Sequence, residues 1–314
     1  MKCKTFSKGE DEVTLFENLL PKAQSQPIKT VALACPENAA VIEMITAALK
    51  LKMANFILFG NLNKINEILP SIPKEIKIVN CADKAAACQA AVQAVSAKKA
   101  DILMKGMVDT SVILKHVLNR DYGLRTGKLL SHIMVCYLMH LDRLVLLSDG
   151  GLNIDPDPSE LSEITINAIE LAHSLGIAVP KAALLSAVEK VNPKIPSTVK
   201  CQEAVETITR GGIQNCCVAG PLALDIALCK EAAEIKNITN PVAGAADILI
   251  VPYIEVANVL YKGWMFGCDG NDAAGIIVGA KAPIILTSRA DNQKTKLYSL
   301  ALAILALNGG ADER

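Results

Sequence analysis

Short apolar runs alternate along this chain with longer stretches that repeat at helical spacing. IKTVALAC (28–35), Asn55–Phe59, Ile76–Val79 and Asp101–Met104 read as buried strands, apolar and too short for helices. Between them, Glu37–Met53, Leu62–Leu69 and Lys84–Ala97 read as helices, the first with Val41, Ile45, Ala48 and Leu49 inward. The polar residues 1–27 hold one short amphipathic piece, Val13–Leu20. After the fourth strand, Asp109 or Thr110 caps a helix with Val112, Ile113, Val117 and Leu118 inside. Ile133–Leu138 and Leu144–Leu147 follow as strands.

The turn region DGGLNIDPDP then interrupts the pattern. Asp157-Pro158-Ser159-Glu160 predicts a helix start: a capping Asp, Pro in the first position and Glu three residues on. Leu161, Ile164, Ala168, Leu171 and Leu175 face inward on that helix, which stops at Gly176. Strands at Lys181–Ser186, Asn215–Val218 and Ala246–Val251 alternate with helices near Val199–Arg210, from Pro221 onward, and over Ile254–Phe266. The stretch GIIVGAKAPIILTSRADN (275–292) holds two more apolar runs and a polar turn. A helix with Leu297, Leu300, Ala301, Ile304 and Leu305 on one face follows, closed by Asn308-Gly309. Strands alternating with helices predict parallel βαβ units, with a change of domain near residue 140.

Composition narrows the classes. A chain of 314 residues suits two domains or one large one. Hydrophobic residues make up 51% and aromatics only 4%, so aliphatic side chains must build the cores. Lys+Arg and Asp+Glu are both 32, which argues against a nucleic-acid partner or a polybasic membrane surface. The ten cysteines show no CxxC, and the adjacent Cys216-Cys217 pair is poor geometry for a shared metal, so no metal site is expected. The N-terminus lacks an apolar h-region, and runs such as ALAILAL fall short of a membrane span. A soluble cytoplasmic enzyme with reduced cysteines is the expectation. There is no GxGxxG after the first strand, no GxxxxGK[ST], no HExxH and no GxSxG.

Candidate chemistry gathers at two places. Ser288 and Arg289 are expected where a strand ends and a helix begins, the position at which open α/β sheets bind ligands and helix N-termini hold anions. A hydroxyl beside a guanidinium there suits an oxyanion or phosphate, although Ser and Asp are equally ordinary caps. The segment 105–132 carries Lys105, Lys115, Arg125 and Lys128, a set suited to anionic oxygens, although any one of them reads first as a solvated charge. His132 alone reads as a packed histidine. Asp149, Asp225 and Glu255 sit near strand ends or helix starts, as catalytic groups or as caps.

LMKGMVDTSVILKHVLNRDYGLRTGKLLSH, DGGLNI, GPLALD, ADILIVPYIEVANVLYK and GIIVGAKAPIILTSRAD, in this order and spacing, resemble the phosphate acyltransferase family, most closely its butyryl-transferring branch. The resemblance implies two α/β/α domains with a cleft between them, related in fold to isocitrate and isopropylmalate dehydrogenases. The first domain would be 1–139 plus 284–314, the second 140–283. It implies a homodimer or higher homo-oligomer. The implied reaction exchanges acyl-CoA and inorganic phosphate for acyl phosphate and free coenzyme A, with no metal, no nicotinamide and no tightly bound cofactor. Butyryl is the expected acyl group. Acetyl specificity, a dehydrogenase on the shared fold and a CoA-binding protein without turnover are the alternatives.

Ser288-Arg289 matches the family's catalytic Ser-Arg pair. Lys115 stands where relatives carry a phosphate-binding arginine, a point charge in place of a fork, and Arg125 is the candidate substitute. The acidic residue that relatives carry seven positions after the serine is Thr295 here, so no general base is assigned; Asp291 is nearby but reads as a helix cap. Asp225, Asn258, Tyr261 and Lys262 match shared positions that could meet CoA phosphates or acyl phosphate, the last three spaced for neighbouring faces of one helix. A covalent route through Cys268 ranks low.

Overall fold

The computed structural model describes residues 16–286 and 292–307. Their contacts separate two compact units, one holding residues 17–128 with the chain from 274 onward, the other 129–273. The first stretch comprises α1 (Leu19–Gln24), β1 (Lys29–Ala34), α2 (Ala39–Lys50), β2 (Ala54–Gly60), α3 (Leu62–Ile68), β3 (Ile76–Asn80), α4 (Lys84–Ser96), β4 (Ile102–Lys105) and α5 (Thr110–Val117). The middle comprises β5 (Ser131–Leu138), β6 (Arg143–Ser148), α6 (Pro158–Ser174), β7 (Lys181–Leu185), α7 (Pro196–Gly211), β8 (Cys217–Leu222), α8 (Leu224–Leu228), α9 (Lys230–Ile235), β9 (Ile248–Ile250) and α10 (Ile254–Gly267). The chain then returns with β10 (Asp272–Val278), β11 (Ile284–Ile285) and α11 (Gln293–Ala306).

In the first unit the strands run β3-β2-β1-β4-β11, every neighbouring pair parallel, and β10 is antiparallel to β11. In the second they run β5-β6-β9-β7-β8, parallel except for the antiparallel β5–β6 pair. Strands covered on both faces should read as continuous apolar runs. Val31–Ala34 and Ile102–Met104 do so, all at 0% exposure.

The sequence pattern places the domain changes at 139/140 and 283/284; the contacts place them at 128/129 and 273/274. The physical reason is pairing: β5 goes with its hairpin partner β6, and most of β10 goes with β11. Two local expectations are corrected. Leu118 is 47% exposed because it is the C-cap of α5, where the chain leaves the helical face. The helix expected from Pro221 starts later, since Pro221 lies in β8, whose Leu222 still pairs with Leu185 of β7. Two short helices, α8 and α9, then replace one long one.

The start of α6 forms as its sequence predicts. Asp157 accepts from the Glu160 N–H at 2.8 Å, and the Glu160 carboxylate accepts from the Asp157 N–H at 2.9 Å, with Pro158 in the first turn. Asp157→Ala should lower stability by about 1 kcal/mol. A urea midpoint shifted by that amount at unchanged m-value is the expected measurement; no shift would mean that packing alone sets the helix start.

Among the described residues no helix is long and apolar enough to cross a membrane, and no group of three or more His, Cys, Asp or Glu could hold a metal ion.

Candidate active site

In the first unit, β1, β4 and β11 run parallel, so their carboxyl ends emerge at one edge of the sheet. β11 pairs Ile284 with Leu103 and Ile285 with Met104. Leu286 therefore leaves the sheet beside Lys105, the last residue of β4. Ser288 and Arg289 follow two residues later and lie outside the described residues, as does Asp291.

Lys105 is only 5% exposed. Its ammonium donates to the carbonyls of Gly106 at 3.4 Å and Val108 at 3.1 Å, which curls the chain around Nζ ahead of α5. Two backbone bonds clamp the same turn to β1: Gly106 N–H to the Ala34 carbonyl at 2.8 Å and Met107 N–H to the Cys35 carbonyl at 2.7 Å. Lys105 thus shapes the turn as well as charging it. Lys115 projects from the exposed face of α5.

Arg125 is exposed, and its backbone forms an antiparallel bridge with Ala280. Thr126 Oγ1 donates to the Gly279 carbonyl at 2.6 Å, Lys281 N–H donates to the Leu124 carbonyl at 2.8 Å, and Lys281 Nζ donates to the Gly123 carbonyl at 3.3 Å. His116 Nδ1 and Tyr122 Oη share a 2.8 Å hydrogen bond that braces the preceding loop, and burial, then the Lys115 charge, lowers the His116 imidazole. The structure therefore ties the Arg125 segment to the stretch that enters β11. Thr126 and Lys281 were not singled out from the sequence, because their partners lie far away along the chain.

Thr295 occupies the first turn of α11. Its N–H donates to the Asn292 side chain at 2.8 Å, so the cap of this helix is Asn292 and not Asp291. Both residue types cap well, and local sequence does not separate them.

In the second unit, β6, β9, β7 and β8 present their carboxyl ends together. Asp149 follows β6 and is 2% exposed. One oxygen accepts from the N–H groups of Gly151 (2.7 Å) and Leu152 (2.9 Å), the other from His132 N–H (2.9 Å) and Asn153 Nδ2 (2.7 Å). That resolves the two readings of Asp149: with both oxygens so occupied, it shapes the DGGLN turn. An Asp followed by two glycines is the sequence sign of such a turn.

Asp225 lies in the first turn of α8, where its carboxylate pairs with Lys236 at 3.2 Å and accepts from the Ile226 N–H at 2.9 Å. Desolvation pushes this carboxyl up, but the Lys236 and Ile226 bonds outweigh it and hold it below the usual range. Asn258, Tyr261 and Lys262 all fall on α10, which follows β9. Tyr261 is half-buried against the core of this unit, Asn258 is half-buried and Lys262 is exposed. Glu255 is exposed in the first turn of α10.

Each unit thus carries its share of the predicted residues: Lys105, Lys115 and Arg125 in the first, Asp225, Asn258, Tyr261 and Lys262 in the second. A family model described as phosphate acetyl/butaryl transferase matches residues 84–304. A phosphate butyryltransferase from Clostridium acetobutylicum is 43% identical over 293 residues, covering 92% of this chain and 97% of that protein. A phosphate acetyltransferase from Thermotoga maritima is 38% identical over 291 residues, covering 92% and 98%. The crystal structure of a branched-chain phosphotransacylase from Enterococcus faecalis V583 matches with a TM-score of 0.81 at 37% identity, covering 90% of this chain and 99% of that one. On the match over 84–304 and on relatives similar along nearly their whole length, the chain belongs to the phosphate acetyl/butyryl transferase family.

Proposed function

We propose that this chain transfers a short acyl group, butyryl foremost, between coenzyme A and inorganic phosphate: butanoyl-CoA + phosphate = butanoyl phosphate + CoA. Coenzyme A is substrate and product here, with no tightly bound cofactor. The working form in this reading is a cytoplasmic homodimer or larger homo-oligomer, on the two-domain fold of the isocitrate and isopropylmalate dehydrogenases.

The observation that carries the reading is the pairing of β11 with β4. It sets the chain leading to Ser288-Arg289 beside the Lys105 turn, in the unit that also holds Lys115 and Arg125. A phosphate oxygen attacks the thioester carbonyl, the C–O bond forms, and the tetrahedral intermediate expels the CoA thiolate. Cations must dock the phosphate, and donors must meet the oxyanion or the leaving sulfur. Arg289, Arg125 and Lys115 serve the first need in this reading, and the Ser288 hydroxyl serves the second. Asn258, Tyr261 and Lys262 on α10 serve substrate binding, and so does Asp225, whose ion pair with Lys236 leaves it to act through position rather than as a base. Thr295 cannot take a proton near neutral pH, whereas phosphate dianion is itself a competent nucleophile, so no protein base is required.

Phosphate-dependent thiol release from acetyl-, propionyl-, butyryl- and valeryl-CoA tests this. Turnover should peak with butyryl-CoA. A methylene contributes about 1–3 kcal/mol of discrimination, so neighbouring chain lengths should differ by about tenfold or more. A peak at acetyl-CoA would overturn the acyl assignment and keep the reaction. No release with any chain, in folded protein, would overturn turnover itself and leave coenzyme A binding.

A further inference from the structure

In the second unit one lysine joins three segments that leave the carboxyl ends of parallel strands. Lys200 lies in the second turn of α7, on a fixed platform. Ser197 Oγ and Ser186 Oγ share a 2.8 Å hydrogen bond that sets the first turn of α7 on the end of β7, and the buried Thr198 hydroxyl accepts from the Asn192 N–H at 2.9 Å. From there the Lys200 side chain, 14% exposed, reaches both neighbouring segments. Its ammonium is ion-paired with Asp155, in the loop after β6, and lies 4.5 Å from the centroid of the Tyr253 ring, at the start of α10. The loop and the helix also meet directly, where the Ile254 N–H donates to the Ile154 carbonyl at 3.0 Å. A charge so far removed from water must be matched by partners, and a ring face within about 6 Å is one of them.

Apolar packing does little to hold the two segments that Lys200 joins. Ile154 is 67% exposed at the end of the loop, whose beginning Asp149 anchors. Over its 14 residues α10 has Ala257 alone buried, whereas the 17-residue α6 buries nine, so α10 depends on contacts at its ends for its place. Tyr253 is its N-cap and makes no side-chain capping bond. An exposed surface pair would contribute little. Lys200 is covered, held from two sides and carried by an anchored helix, and the start of α10 is where it acts. Asn258 and Lys262 follow one and two turns later on that helix.

We propose that Lys200 is a positioning residue for acyl-CoA: through Tyr253 and Asp155 it fixes the entry of α10 and thereby the places of Asn258, Tyr261 and Lys262. The proposal rests on the acyl-transfer reading for what α10 binds. Lys200 touches no reacting atom in it, and phosphate docks on the cations of the first unit.

The test is steady-state thiol release by Lys200→Met, with KM measured separately for butyryl-CoA and for phosphate. Met keeps most of the side-chain length and removes the charge. KM for butyryl-CoA should rise about 2–30-fold, the range in which residues remote from a ligand modulate its binding, with kcat and the KM for phosphate unchanged. Lys200→Arg should restore the parent value, since a guanidinium can both pair with Asp155 and stack on Tyr253. Tyr253→Leu should raise the same KM, and Tyr253→Phe, which keeps the ring face, should not. An unchanged KM for butyryl-CoA in Lys200→Met, a loss confined to kcat, or no rescue by arginine overturns the proposal. Thiol release absent from the unsubstituted protein would instead sink the acyl-transfer reading; CoA binding by calorimetry, weakened in Lys200→Met and restored in Lys200→Arg, then decides the role of Lys200 without turnover.

Discussion

Ser288→Ala should slow phosphate-dependent thiol release by about 10²–10³-fold, the usual cost of removing one donor aimed at a developing oxyanion or leaving group. Position supports the size of this effect. In sequence the serine comes three residues after Ile285, which pairs with Met104 of β4, and four before Asn292, which caps α11. Alanine keeps the backbone and removes only the hydroxyl, so the melting temperature should stay unchanged. The loss should fall on kcat, because the hydroxyl acts as charge moves and not when substrate docks. A rate within tenfold of the parent would sink the assignment. Arg289→Ala should instead raise the KM for phosphate as well, since a guanidinium fork holds the dianion before and during attack.

Gly106→Ala should be the most destabilising single methyl addition in the turn after β4. A Cβ at Gly106 would lie 2.0 Å from the Cys35 carbonyl oxygen, 2.7 Å from its carbon and 2.8 Å from the Ala34 oxygen. All three are backbone atoms of a strand end, so no rotamer change relieves the clash. β1 and β4 must separate, which strains the bonds from Gly106 to Ala34 and from Met107 to Cys35. Overpacking of this kind and two weakened hydrogen bonds together cost about 3 kcal/mol or more. Urea unfolding reads that loss directly. A stability within about 0.5 kcal/mol of the parent, inside ordinary surface-substitution range, would show that the turn shifts freely.

Features set by neighbours in the chain were legible beforehand. The α6 start follows from Asp157, Pro158 and Glu160 alone, and β1, β2 and β4 follow from uninterrupted apolar runs. Features set by distant partners were not. The antiparallel pairs β5–β6 and β10–β11 look no different from parallel strands in an apolar pattern. Gly220-Pro221 reads as a helix start until β7 is seen to extend the ladder to Leu222. Lys105 reads as a solvated charge, and its burial depends on carbonyls that turn back toward it. The anchoring of Arg125 spans 153 residues between Thr126 and Gly279, beyond the reach of any local rule. The family resemblance supplied Ser288-Arg289 and the α10 residues, and the first pair lies outside the described residues.

The return of the chain to its first unit has a consequence for synthesis. Residues 129–273 are contiguous and can be complete while the ribosome is still at work. β4, by contrast, has β1 on one side only until Ile284–Ile285 emerges to occupy the other. Until then its outer edge offers unpaired N–H and C=O groups to any passing strand. A nascent or truncated product ending before β11 should therefore be the aggregation-prone form of this protein, and the edge closes only when Ile284–Ile285 pairs with Leu103 and Met104.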